Sequence, residues 1–278
     1  MKSGLIPPKK ELVNLDFSHS RYFGAVSELP TEDFIVAEPL EVKNQLETYT
    51  CVAQAITSVS EDQEGIPLES AYTWARIRQV APGSKQGATP RDACKVATKF
   101  GFLPKTFSPY SLEKNGEKFI SNPYNWGWVH DSYAAQHKKG AYFTVDGQSD
   151  LFDSIMATMW TNRKKKKSVF VGAFWQPWWD GIVSGVIPND SPYDKVNPHA
   201  FKIYGRKTID GEVYAIALNS YGENSGDRGR FYFPREIVNK FLFAYTFEDD
   251  VNPEDVKETW TFAQKLKNIV VKLLKKLL

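Results

Sequence analysis

The chain has 278 residues, 42% hydrophobic and 14% aromatic, enough to bury a full core as one large domain or two lobes. A net charge of +2 selects no nucleic acid, two cysteines exclude a disulfide framework, and no segment has the ~20 apolar residues of a membrane span. The start, Met1 to Pro8, lacks the uninterrupted apolar stretch of a signal peptide, so the expectation is a soluble chain, cytoplasmic or virion-associated.

Residues 1–37 are proline-spotted and mixed in character, an arm lying over a domain of residues 38–250. In the run from Cys51 to Ile56, Val52, Ala55 and Ile56 fall on one helical face, which sets Cys51 at a helix N-terminus. The stretch from Pro67 to Ile77 predicts a second helix. Thr89-Pro90-Arg91-Asp92 supplies a hydroxyl cap, a proline at the first helical position and an early acid, so a third helix starts there and stops at Gly101. Cys94 falls inside it as a small buried residue; a bridge to Cys51 would consume a thiol needed below, and both are expected to be reduced. Residues 105–138 are rich in Asn, Pro, Gly, Tyr and Lys without a period and read as a long connection.

The second half changes to strand. Residues 141–145 are β-like, 149–162 helical, and 168–175 a strongly apolar strand; further strands lie near 199–204, 213–218, 230–233 and 241–245. A helical half followed by a strand-rich half predicts an α+β fold of two lobes with a cleft between them. The tail, 251–278, opens on Asn252-Pro253-Glu254-Asp255 and then sets Phe262, Leu266, Ile269, Val270, Leu273, Leu274 and Leu277 among lysines. It reads as an amphipathic basic helix suited to packing, self-association or membrane-surface contact. Arg163 to Lys167 reads as a solvated helix end with no adjoining aromatic for nucleic acid to stack on, and no nucleic acid is expected.

Two distant segments carry the chemistry. Gln45 precedes Cys51 by six residues, and His199 on a strand precedes Asn219 by twenty. A thiol at a helix N-terminus beside an imidazole is biased toward thiolate, and the imidazole can return the proton to a leaving amine. Asn219, accepting from the second ring nitrogen, fixes tautomer and plane without adding charge. The Gln45 amide and the Cys51 backbone N–H supply two donors for a tetrahedral oxyanion. His19, His130 and His137 have no partner motif and read as surface or packing residues. Cysteine and histidine spacings fit no metal site, and no cofactor is called for.

These residues resemble the papain-like cysteine peptidases. Val42-Lys43-Asn44-Gln45 and the six-residue step to Cys51 look like the family's oxyanion glutamine and nucleophile. Cys51-Val52-Ala53 is similar to divergent bacterial and phage members, and the segment from Asn219 to Phe231 resembles the stretch holding the orienting asparagine and the glycine-rich turn after it. The resemblance covers residues 28–247 and implies a helical N-terminal lobe, an antiparallel barrel-like C-terminal lobe and an active-site cleft between them. It also implies that Gly87 and Ala88 take the place of a substrate-binding glycine pair, and that Tyr221 stands where a tryptophan shields the asparagine–histidine hydrogen bond. The family's long propeptide is replaced by the short arm, able to act as a latch. Trp178 and Trp179, on a loop leading to the histidine strand, are candidate cleft-rim contacts with substrate, as is Tyr221, whereas Trp175 reads as core.

The expected activity is hydrolysis of peptide bonds in a protein or peptide substrate through a thioester on Cys51. A peptidoglycan-directed amidase is the enzymatic alternative, although such sites place Asp before the cysteine and Ser-Gly after it, where this chain has Thr50 and Val52-Ala53. A catalytically idle domain with an assembly role is the third reading.

Overall fold

The computed structural model describes residues 3–8, 29–82, 86–145 and 150–249. His19, most of the N-terminal arm and the amphipathic tail 251–278 lie outside the described residues.

After a short strand β1 (Phe34–Ile35) the chain enters α1 (Cys51–Glu64), buried from Cys51 to Asp62. A helix with no wet face belongs in the middle of a protein, and α1 is wedged between the other helices and the sheet. It ends on Gly65 in the left-handed region at φ 70°, whose N–H closes on the Glu61 carbonyl. Helix α2 (Ser70–Val80) is capped by the Glu69 carboxylate accepting from Ala71 N–H. Helix α3 (Pro90–Lys99) opens as expected, with Thr89 Oγ1 accepting from Asp92 N–H at 3.1 Å and donating to the Asp92 carboxylate at 2.6 Å.

The predicted connection 105–138 is a correction: it contains α4 (Leu112–Ile120) and α5 (Trp128–Ala134). Gly116, at φ 73°, kinks α4, and α5 has seven residues, so neither segment is long enough to write a sustained 3.6-residue period.

Strand β2 (Ala141–Thr144) and helix α6 (Leu151–Thr161) lead into β3 (Val169–Phe174), β4 (Pro198–Ile209), β5 (Glu212–Leu218), β6 (Arg230–Pro234), the single turn α7 (Arg235–Val238) and β7 (Phe243–Glu248). The described strands form one antiparallel sheet in the order β2-β7-β3-β4-β5-β6, with β1 on the far half of β4. β4 carries a bulge between Ile203 and Gly205, which lets its first half face α1 while its second half turns to β1.

Two cores result. One joins α1, α2 and α3 to Phe170, Ala200, Phe243 and Tyr245 of the sheet; the other fills the sheet's opposite side with Trp175, Trp179, Phe201, Phe231 and Phe233. In the Arg163–Lys167 run the first four residues form the expected exposed helix end, and Lys167 alone is a correction. Lys167 is buried on Glu248, joined there by Lys165, and the Arg163 guanidinium sits 3.9 Å over the Trp160 ring. Burial of Lys167 follows from its place at the foot of β3, where Glu248 of the neighbouring β7 supplies its counter-charge.

Candidate active site

Cys51 is the first residue of α1 and fully buried, with the backbone of Val52, Ala200 and Gly4 close enough to act on its thiol. Ala200 follows His199 on β4, so the thiol abuts the histidine strand across the lobe junction. His199 Nε2 lies 2.7 Å from Asn219 Oδ1. That oxygen also accepts from Ser220 N–H at 2.7 Å, which identifies it as the carbonyl side of the amide and Nε2 as the protonated ring nitrogen. Trp175 meets the imidazole edge-on at 5.2 Å and Tyr221 lies against it at 4.7 Å, so two aromatic rings shield the pair from water.

Gln45 and Asn219 are brought together by backbone pairing. Asn44 pairs antiparallel with Tyr221, Gln45 N–H donates to the Ser220 carbonyl at 2.8 Å, and Gly222 N–H donates to the Lys43 carbonyl at 3.0 Å. The buried Gln45 amide donates to the Thr48 carbonyl at 3.0 Å and accepts from Ser220 Oγ at 2.8 Å. Lys43 anchors this segment to α1 through Glu61, 2.8 Å away, and reaches Glu41 at 2.7 Å. Ser220 and Lys43 are contributors that motif reading did not single out; their signal is adjacency to Asn219 and Gln45.

The arm enters the cleft. Ala88 N–H donates to the Gly4 carbonyl at 2.7 Å and Ile6 N–H to the Ala88 carbonyl at 2.8 Å, a parallel bridge centred on Leu5. The Ser3 hydroxyl donates to the Pro198 carbonyl, and a Cβ added to Gly4 would overlap the Tyr49 carbonyl. Gly87 sits at φ 74°, where a Cβ would overlap the Gly4 carbonyl, so the close approach requires glycine on both sides. Leu5 is 4% exposed, and a Cβ on Gly172 would come within 2.8 Å of its Cδ2 and of the Phe243 ring. The sulfur is therefore covered by the protein's own N-terminus. The Gly4 carbonyl is turned to Ala88.

This cover decides the electrostatics. Burial pushes the Cys51 thiol up to about 11, outweighing the backbone donors on its sulfur. Burial pushes His199 down to about 4, against the opposing hydrogen bond to Asn219. Both shifts favour the neutral thiol–imidazole pair, the reverse of the thiolate bias expected from an open helix N-terminus.

The remaining sites separate. Ala88 and Gly87 hold the arm, and Trp178 is 40% exposed on the turn after β3. Trp179 is a correction: it is fully buried against Trp175 and Phe233, with Nε1 donating to Ser191 Oγ at 3.2 Å. In the tight turn Pro177–Gly181 only one of two adjacent indoles can face the core, and it is Trp179. Tyr221 turns its hydroxyl to His199 Nδ1 at 3.3 Å and is 8% exposed, a neighbour of the imidazole and not of the rim. Cys94 is buried and in no disulfide, His137 pairs with Glu64 at 2.7 Å, and His130 packs on Trp126. Among the described residues no group of three His, Cys, Asp or Glu is placed to hold a metal ion.

No known family profile and no curated protein sequence matches the chain. Among solved structures it is similar to xylellain, a cysteine protease from Xylella fastidiosa, at TM-score 0.71 and 20% identity over 90% of this chain and 96% of that one. A procathepsin B from Trypanosoma congolense superposes at TM-score 0.68 and 16% identity, covering 90% and 87% of the two chains. Bromelain from Ananas comosus, solved with the E64 inhibitor, gives TM-score 0.57 and 15% identity over 79% of this chain and 99% of its own. The chain thus has the two-lobed fold of the papain-like cysteine proteases.

Proposed function

We propose that the protein is a cysteine peptidase held at rest by its own N-terminus. Once the cleft is open, Cys51 passes its proton to His199 and attacks a peptide carbonyl; the oxyanion forms against the Cys51 N–H and the Gln45 amide. His199 then returns the proton to the leaving amine, and water, deprotonated by the same ring, hydrolyses the thioester. Asn219 keeps Nε2 in register throughout. The observation that carries this reading is the extended peptide already laid beside the buried thiol, with Ala88 clasping its backbone on either side of Leu5. A cleft that binds the protein's own strand by backbone hydrogen bonds suits other peptides in the same way. The pocket between Ala88, Gly172 and Phe243 would take a leucine-sized side chain of the substrate.

The Asn219 Oδ1 contact to His199 Nε2 and the bracing of Gln45 by Ser220 Oγ count against an idle scaffold, because an assembly role needs neither. Labelling with a peptidyl epoxide or vinyl sulfone, followed by peptide mapping, is the test. Adduct on Cys51, lost in Cys51→Ala, is the expected result. A folded, reduced Leu5→Asp variant that neither labels nor cleaves any member of a broad peptide library would overturn the peptidase reading.

A further inference from the structure

Tyr221 brings a hydroxyl to the one ring nitrogen the chemistry needs. Nε2 of His199 bears the proton it gives to Asn219, so in the neutral ring Nδ1 is a bare lone pair and the Tyr221 hydroxyl 3.3 Å away is its donor. A single in-plane lone pair accepts one strong donor at a time. On the peptidase reading Cys51 must deliver its proton to this same lone pair, which the Tyr221 O–H occupies, and the other aromatic rings against the imidazole, Trp175 and Phe201, offer no such donor to Nδ1.

We propose that Tyr221 is a positioning residue whose hydroxyl holds His199 Nδ1 in the resting site and must release it before Cys51 can protonate the ring, so that Tyr221 sets the pH at which the thiolate forms. This rests on the peptidase reading to the extent that it takes Cys51 and His199 as a proton-transfer pair. In the step itself the hydroxyl rotates and keeps its own proton. The S–H bond breaks, an N–H bond forms at Nδ1, and a neutral pair becomes thiolate and imidazolium with no other species consumed. The titratable groups acting on Tyr221 are Cys51 at the head of α1, Glu47 in the loop before it, and Asp180 on the turn after β3, which accepts from Trp175 Nε1 at 2.8 Å; the charge acting on His199 is the N-terminal ammonium, which disfavours imidazolium. All of these are retained when only the hydroxyl is deleted.

The test uses the full chain, Tyr221→Phe, Tyr221→Leu and His199→Ala, with the rate of Cys51 alkylation by iodoacetamide followed across pH by peptide mapping. Opening of the arm is common to wild type and variants, so differences in midpoint between them report on the ring and its donor. Deleting the hydroxyl removes one hydrogen bond to the neutral base, so the midpoint of the rise falls by about half a unit to one unit in Tyr221→Phe. Tyr221→Leu, which has no hydrogen-bond donor in its side chain, moves the same way and serves if the phenylalanine variant folds poorly. A residue that merely packs gives no such shift. Midpoints unchanged or raised in both tyrosine variants, with His199→Ala displaced from wild type, overturn the inference alone. A His199→Ala midpoint identical to wild type shows that the ring takes no proton from the thiol, and the peptidase reading falls with the inference.

Discussion

Lys202 Nζ lies 2.8 Å from Asp62 Oδ1 with both side chains buried, and the pair joins the strand of His199 to the helix of Cys51. The same ammonium donates to the Ser58 carbonyl at 3.2 Å, so α1 is held to β4 about two to three turns from its Cys51 end. A buried ion pair at this place resists sliding of helix against strand. Removing one partner leaves an uncompensated charge, so Lys202→Met should cost about 3–5 kcal/mol, whereas Lys202→Met with Asp62→Leu should recover most of it. Urea unfolding of the single and double variants measures this; equal stability of the two would mean that the pair carries no coupling.

The cover over the thiol yields a second expectation. Leu5 buries an aliphatic side chain worth about 2–3 kcal/mol, and a carboxylate in the same apolar pocket is strongly disfavoured. Leu5→Asp should therefore open the cleft and raise both peptide cleavage and Cys51 labelling by tenfold or more. In that open form Gly172→Ala, by filling the pocket floor beside Phe243, should shift preference among peptide substrates from leucine toward valine or alanine. Relative kcat/KM values across a positional library check this, and a preference unmoved by Gly172→Ala would place the side-chain pocket elsewhere.

Burial of the imidazole also writes a pH dependence into stability. His199 titrates near 4 when folded, below its ordinary 6.5, so it binds a proton more readily unfolded than folded. Its contribution is fully present above pH 6.5 and is lost as pH falls through 4, on the order of 3 kcal/mol in all. Other acid-sensitive pairs act over the same range, so the difference between wild type and His199→Gln is the quantity to follow. Urea midpoints of the two should converge as pH drops from 6.5 to 4; parallel curves would contradict a buried neutral ring.

Features written in local chemistry were legible in the sequence. The Thr89 cap, the strands from Val169 onward and the alternation into two lobes follow from residues that decide their own conformation. Gln45, Cys51, His199 and Asn219 stood out by spacing, and in the fold Asn44 pairs with Tyr221 while His199 meets Asn219. What escaped depends on long-range placement. No composition marks Leu5 as the residue that fills a pocket, since its partners Gly172 and Phe243 lie far along the chain. Neighbouring Trp178 and Trp179 are chemically identical, and only the turn decides which faces the core. Lys167 reads as one more surface cation until Glu248 closes on it.

Gln45 offers the sharpest separation of chemistry from structure. Its Nε2 donates to the Thr48 carbonyl, while its Oε1 accepts from Ser220 Oγ beside Asn219. Gln45→Ala should lower kcat by about 10²–10³-fold with little change in KM, the signature of a donor used only when negative charge develops. It should also cost about 1–3 kcal/mol, because Ser220 Oγ loses its acceptor in a buried site. Gln45→Glu retains the acceptor for Ser220 Oγ but sets a buried carboxylate oxygen against the Thr48 carbonyl, so it should be the less stable of the two variants and also lose the rate. Paired unfolding curves and single-turnover rates for the two variants settle the division: if Gln45→Glu cleaves peptides as fast as wild type, the oxyanion is held by other donors and Gln45 is there to brace Ser220.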